Sequence, residues 1–76
     1  MENDNYFLVT FKSVAYAMKF EKTMKSHNIE TKIIPVPRSL STSCGMCGRI
    51  NRKDKTLVCD ILENENITYE KIFEEW

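Results

Sequence analysis

Two cysteines stand three positions apart in Ser41-Thr42-Ser43-Cys44-Gly45-Met46-Cys47-Gly48-Arg49, a run that follows Ile34-Pro35-Val36-Pro37-Arg38. The thiolate is the nucleophilic form of cysteine, and nearby positive charge and amide donors favour it over a thiol whose pKa is otherwise about 8.5. The guanidinium groups of Arg38 and Arg49, the hydroxyls of Ser41, Thr42 and Ser43 and the backbone amides around Gly45 would supply both if they converge on Cys44. Cys44 is therefore the candidate reactive thiol. Cys47 is a candidate resolving thiol, able to displace an adduct on Cys44 by forming a disulfide, or to protect it.

Other chemistries compete for the same residues. Cys-x-x-Cys is half of a zinc site, which Cys59 and His27 would have to complete around Cys44 and Cys47. Cys59 follows Cys47 by only twelve positions and there is no second Cys-x-x-Cys, so no metal and no cofactor is assigned. A free-standing dithiol oxidoreductase would set the pair at a helix amino terminus, where the dipole activates the first thiol. Here the following residues read as a strand, and a carrier protein fits better than a stand-alone enzyme. A plain interaction domain with incidental thiols is the third reading.

The loop needs a scaffold, and 76 residues allow one domain, 1–76, with 1–5 as a flexible lead. A chain this short buries only about 60% of its unfolded surface. Eleven basic residues balance eleven acidic ones, and the basic ones are scattered, which argues against the converging Lys and Arg that nucleic acid requires. Neither a secretion signal nor an apolar run of spanning length is present. An odd count of three cysteines suits a reducing compartment, so the expected location is cytoplasmic, with no membrane partner.

Tyr6 to Phe11 is β-branched and aromatic and too short for a helix, which predicts a strand with Phe7, Val9 and Phe11 on one face. Tyr6, Leu8 and Thr10 on the other are apolar for a solvated surface. Either that face is partly covered, or it is a homodimer contact. Ser13 is placed to cap a helix from Val14 to about His27. Val14, Ala17, Met18, Phe20 and Met24 fall on its core side.

The helical wheel sets Glu21 near the middle of that arc, where an unpaired carboxylate loses hydration. It either reaches solvent or a lysine at the edge, or reaches the cysteine loop with a raised pKa as a proton donor or acceptor. His27 ends the helix, where an imidazole suits the dipole.

Ile29 to Val36 predicts a second strand that lies at an edge or ends at its prolines, because Pro35 and Pro37 cannot donate to a ladder. Met46 to Ile50 predicts a third, with Gly48 permitting close backbone approach. If Met46 and Ile50 face the helices, Cys47 and Arg49 face away. Asp54 is placed to cap a second helix to about Asn64, with Leu57, Val58, Ile61 and Leu62 as its buried stripe and Cys59 just off it. Ile67 to Phe73 predicts the last strand.

The halves echo each other, since Asn28-Ile29 and Asn66-Ile67 each close a helix before a strand. Strand-helix-strand twice over is the α+β, ferredoxin-like βαββαβ arrangement, a four-stranded antiparallel sheet with two helices on one face.

From Tyr6 to about Ile50 the chain resembles a family of small bacterial selenium or sulfur carrier proteins. The resemblance rests on a first strand ending Thr10-Phe11, on Ala17, Glu21 and Lys22 in the helix, on Ile34-Pro35-Val36-Pro37-Arg38, and above all on Ser41-Thr42-Ser43-Cys44-Gly45. It implies that Cys44 is the carrier thiol, with Arg38 and Glu21 in its surroundings. It also implies that sulfur or selenium donor and acceptor proteins are the partners. Family members usually have an apolar or small residue where Cys47 stands, so a role for Cys47 would be particular to this chain.

Overall fold

The computed structural model describes residues 5–37, 40 and 45–74. In chain order the elements are β1 (Tyr6–Thr10), α1 (Val14–Ser26), β2 (Thr31–Pro35), β3 (Met46–Asn51), a 3-10 turn (Arg52–Asp54), α2 (Lys55–Asn64) and β4 (Lys71–Phe73). The four strands form one antiparallel sheet in the order β2-β3-β1-β4. This is the expected α+β ferredoxin-like fold. β3 and β1 are central, and the proline-bearing β2 is at an edge.

One sheet face carries the core. Phe7, Val9 and Phe11 from β1 and its end meet Ile50 from β3, Ala17, Phe20 and Met24 from α1, and Val58, Ile61 and Leu62 from α2. Both helices therefore lie on this face. The rings of Phe11 and Phe20 pack at 5.1 Å between centroids, tilted by 49°. A side chain at Gly48 would put its Cβ 2.8 Å from Phe20 Cε2, so α1 packs directly onto the β3 backbone, as the glycine suggested.

The helical stripes are narrower than the sequence pattern implied. Val14 and Met18 are 50% and 62% exposed on α1, and Leu57 is 50% exposed on α2. Val14, in the first turn of α1, lies outside the buried cluster. Met18 sits about 100° round from Ala17 and faces out with Glu21, which is exposed as well.

Capping also departs from expectation. Ser13 and Asp54 occupy the N-cap positions, but neither side chain makes a capping hydrogen bond. The carboxyl ends are the well-built ones. Asn28 and Asn66 adopt left-handed backbone, with φ of 60° and 52°. Behind them the amides of Ile29 and Ile67 donate to the carbonyls of Met24 (2.9 Å) and Leu62 (3.0 Å). Both isoleucines are 6% exposed, so each end is a Schellman closure with its apolar contact. Ile67 thus belongs to the helix end, and β4 is shorter than the strand expected from Ile67 to Phe73.

The opposite sheet face carries Tyr6, Leu8 and Thr10 beside Cys47 and Arg49. Leu8, Thr10 and Cys47 are fully buried while Tyr6 is half-buried, so this face is covered in part. The Thr10 hydroxyl accepts from the Lys71 amide (3.1 Å) and donates to the Lys71 carbonyl (3.3 Å), and the Thr10 carbonyl accepts from the Glu70 amide at 2.6 Å. β4 is held by these bonds more than by its length. Arg52 Nη2 donates to the carbonyls of Tyr6 and Glu74. The Lys55 ammonium, 2.6 Å from Glu74 Oε2, holds that carboxyl below the usual carboxylate range. No helix among the described residues is long and apolar enough to cross a membrane.

Candidate functional site

The cysteine run forms the connection between β2 and β3. Because these strands are antiparallel neighbours, with Pro35 opposite Met46, the two ends of the connection emerge side by side. The Val36 amide donates to the Gly45 carbonyl at 2.9 Å and closes its base. Inside it, the Leu40 amide donates to the Pro37 carbonyl at 3.0 Å. Gly45 has φ +74°, and nothing lies within 4 Å of where its Cβ would be. Backbone conformation, not space, requires glycine there. Arg38, Ser41, Thr42, Ser43 and Cys44 lie outside the described residues.

Cys47 is the second residue of β3, facing away from the helices, opposite Thr10 of β1 and Ile34 of β2. Its side chain is fully buried. Cys59 on α2 is by contrast a partly accessible thiol.

Arg49 shares Cys47's face two residues further on. Its guanidinium lies 4.4 Å from the centroid of the Tyr6 ring, and Tyr6 pairs with Asn51. Arg49 is therefore drawn toward the end of the sheet remote from Gly45. Such a cation–π contact contributes about 0.5–1 kcal/mol where it is exposed and fixes a long side chain.

Glu21 borders an open groove of about 830 Å³ with Met18, Lys22, Lys25, Ile29 and Thr31. Ile29 and Thr31 sit at the start of β2, again the end remote from the connection. The fold thus does not gather Glu21 and Arg49 with the base of the cysteine loop. Tyr6, the partner that holds Arg49, was not singled out as a site residue in the sequence. The pairing depends on the β1–β3 register, which no local pattern states.

The zinc alternative loses its geometry. Cys47 lies on the helix-free face and Cys59 on α2, with the sheet between them. His27 Nε2 is 2.6 Å from Glu65 Oε2, joining the two helix ends. Among the described residues no three metal-ligating side chains come together.

A family model described as "Putative Se/S carrier protein-like" matches residues 6–74. The chain belongs to this family. The match runs past Ile50, where the sequence resemblance stopped, through α2 and β4, and it spans the β2–β3 connection with Cys44. No curated protein and no solved structure matched the chain.

Proposed function

We propose that the protein carries one sulfur or selenium atom on Cys44, as a persulfide or perselenide, between a donor protein and an acceptor protein. The observation that carries this reading is the family match over the whole βαββαβ unit. It is supported by the position of Cys44 one residue before the left-handed Gly45, in a connection whose base is hydrogen-bonded shut.

In the loading step the Cys44 thiolate attacks the outer sulfur of a donor persulfide. The new bond joins Cys44 Sγ to that sulfur, the donor's S–S bond breaks, and the donor leaves as a thiolate. The outer sulfur keeps its proton and no external oxidant or reductant is consumed. Delivery is the same exchange with the acceptor thiolate as nucleophile, attacking the outer sulfur and releasing the Cys44 thiolate. Selenium follows the same course.

Cys47 enters as a restraint on this cycle. Attack of its thiol on Cys44 Sγ would form a Cys44–Cys47 disulfide and expel the carried sulfur as hydrogen sulfide. Burial of the Cys47 side chain beside Thr10 and Ile34 opposes that attack while β3 stays paired. Cys47 becomes the resolving thiol when the start of β3 separates from β1.

The test is the pH dependence of Cys44 alkylation in the folded protein, followed at that residue by peptide mass. A carrier thiol should titrate below the usual cysteine value of about 8.5. A midpoint at or above that value would favour an interaction domain with incidental thiols.

A further inference from the structure

At the end of the sheet away from the cysteine connection, Tyr6, Glu30, Thr31, Lys32, Arg49 and Asn51 enclose a pocket of about 200 Å³. Lys32 and Arg49 are direct cross-strand partners in the β2–β3 ladder. Like charges placed so are mutually destabilising unless something neutralises them. Neither is ion-paired with a described residue. The one bordering carboxylate, Glu30, instead accepts a hydrogen bond from Asn51 Nδ2 at 3.0 Å.

One polar atom of this lining, Arg49 Nε, is buried without a hydrogen-bond partner. Leaving such a group unsatisfied is destabilising, and more so when it is charged. The Arg49 guanidinium carbon lies 4.4 Å from the centroid of the Tyr6 ring, which favours this placement of the side chain.

We propose that this pocket binds an oxyanion group: the carboxylate, phosphate or sulfate of a small ligand. A single oxyanion accepts from the Arg49 Nε–H and from the Lys32 ammonium. It satisfies the orphaned Nε–H and relieves the lysine–arginine repulsion together. The pocket is smaller than the roughly 300–1,000 Å³ of drug-sized sites, so it takes a free anion or one head group and not a nucleotide. Glu30 sits on the rim as the opposing charge and sets an upper limit on affinity. The site stands independently of Cys44, and its failure would leave the carrier reading untouched.

The test is an NMR titration of the backbone amides at positions 32, 49 and 51, and of the Arg49 Nε–H wherever the arginine is kept, with inorganic phosphate, sulfate and acetate in turn, ionic strength being held constant with sodium chloride. At least one anion should give a saturable shift. Its Kd should rise at least tenfold in Arg49→Lys, which keeps the charge but loses the planar fork. The rise should be at least threefold in Lys32→Gln, an exposed edge-strand position where the fold is retained. Glu30→Gln, which preserves an acceptor for Asn51, should bind more tightly. Linear shifts with all three anions, or a saturable shift that both cation variants leave unchanged, would overturn the site.

Discussion

The two helix ends of this protein are built alike, and the strands that follow them are not. After α1, Asn28 turns left-handed, Ile29 buries itself, and β2 begins at Thr31 with five paired residues. After α2, Asn66 and Ile67 repeat the turn and the burial, yet β4 does not begin until Lys71 and pairs over three residues. The same local rule thus serves two different tasks. In the first half it launches an edge strand that leads straight into the cysteine connection. In the second it ends the core, and the short β4 is then fixed by Thr10, Arg52 and the Lys55–Glu74 pair.

Truncating the buried isoleucines is the strongest way to break this likeness. Ile29→Ala and Ile67→Ala should each cost about 2–5 kcal/mol in denaturant unfolding. Losses that differ severalfold would show that one end is decorative. Gly48→Ala comes next. Its new Cβ meets Phe20 in a packed core, and overpacking of this kind costs about 1–3 kcal/mol; an unchanged midpoint would mean that Phe20 has room to move.

The turn residues give a smaller and more diagnostic effect. Asn28→Ala and Asn66→Ala should each lose about 1 kcal/mol, since a Cβ is disfavoured in left-handed backbone, while Asn→Gly at either site should be near neutral. The smallest effects belong to the charges. A double-mutant cycle on His27 and Glu65, both about half exposed, should give a coupling of about 0.2–1 kcal/mol that fades with salt.

At the β4 end, Glu74 has its carboxyl pKa lowered in the folded state by the Lys55 hydrogen bond and charge. Its contribution is therefore complete above the unfolded carboxylate pKa and disappears as pH falls through the lowered folded one. Stability curves of wild type and Glu74→Gln should converge in acid. Curves that stay parallel would remove this clamp.

Much of the scaffold was legible because it follows from local chemistry. Alternation placed Phe7, Val9 and Phe11 inward, Pro35 marked an edge, Gly48 marked a close approach, and the Asn-Ile repeat marked both helix ends. What was missed depends on dimensions and register. Val14 and Met18 read as core because a helical wheel does not show how narrow the buried stripe is, and Ile67 read as strand because its burial at a cap looks the same in one dimension. Capping by Ser13 and Asp54 was inferred from residue type, and the side chains make no such bonds.

Within the candidate site the outcome divides. The place of the Cys44 run in the connection between the edge strand and a central one was readable from the strand order. The seating of Arg49 over Tyr6, the burial of Cys47 and the outward turn of Glu21 were not, since each requires knowing which residue lies across the ladder or over the sheet.

The central claim is that one thiol carries the atom and the neighbouring thiol does not. Intact mass after exposure to a persulfide donor tests it most directly, with wild type, Cys44→Ala and Cys47→Ala treated side by side. Wild type and Cys47→Ala should each gain the mass of one sulfur atom, and Cys44→Ala should gain nothing. A gain that persists in Cys44→Ala, or one that vanishes in Cys47→Ala, would contradict the account.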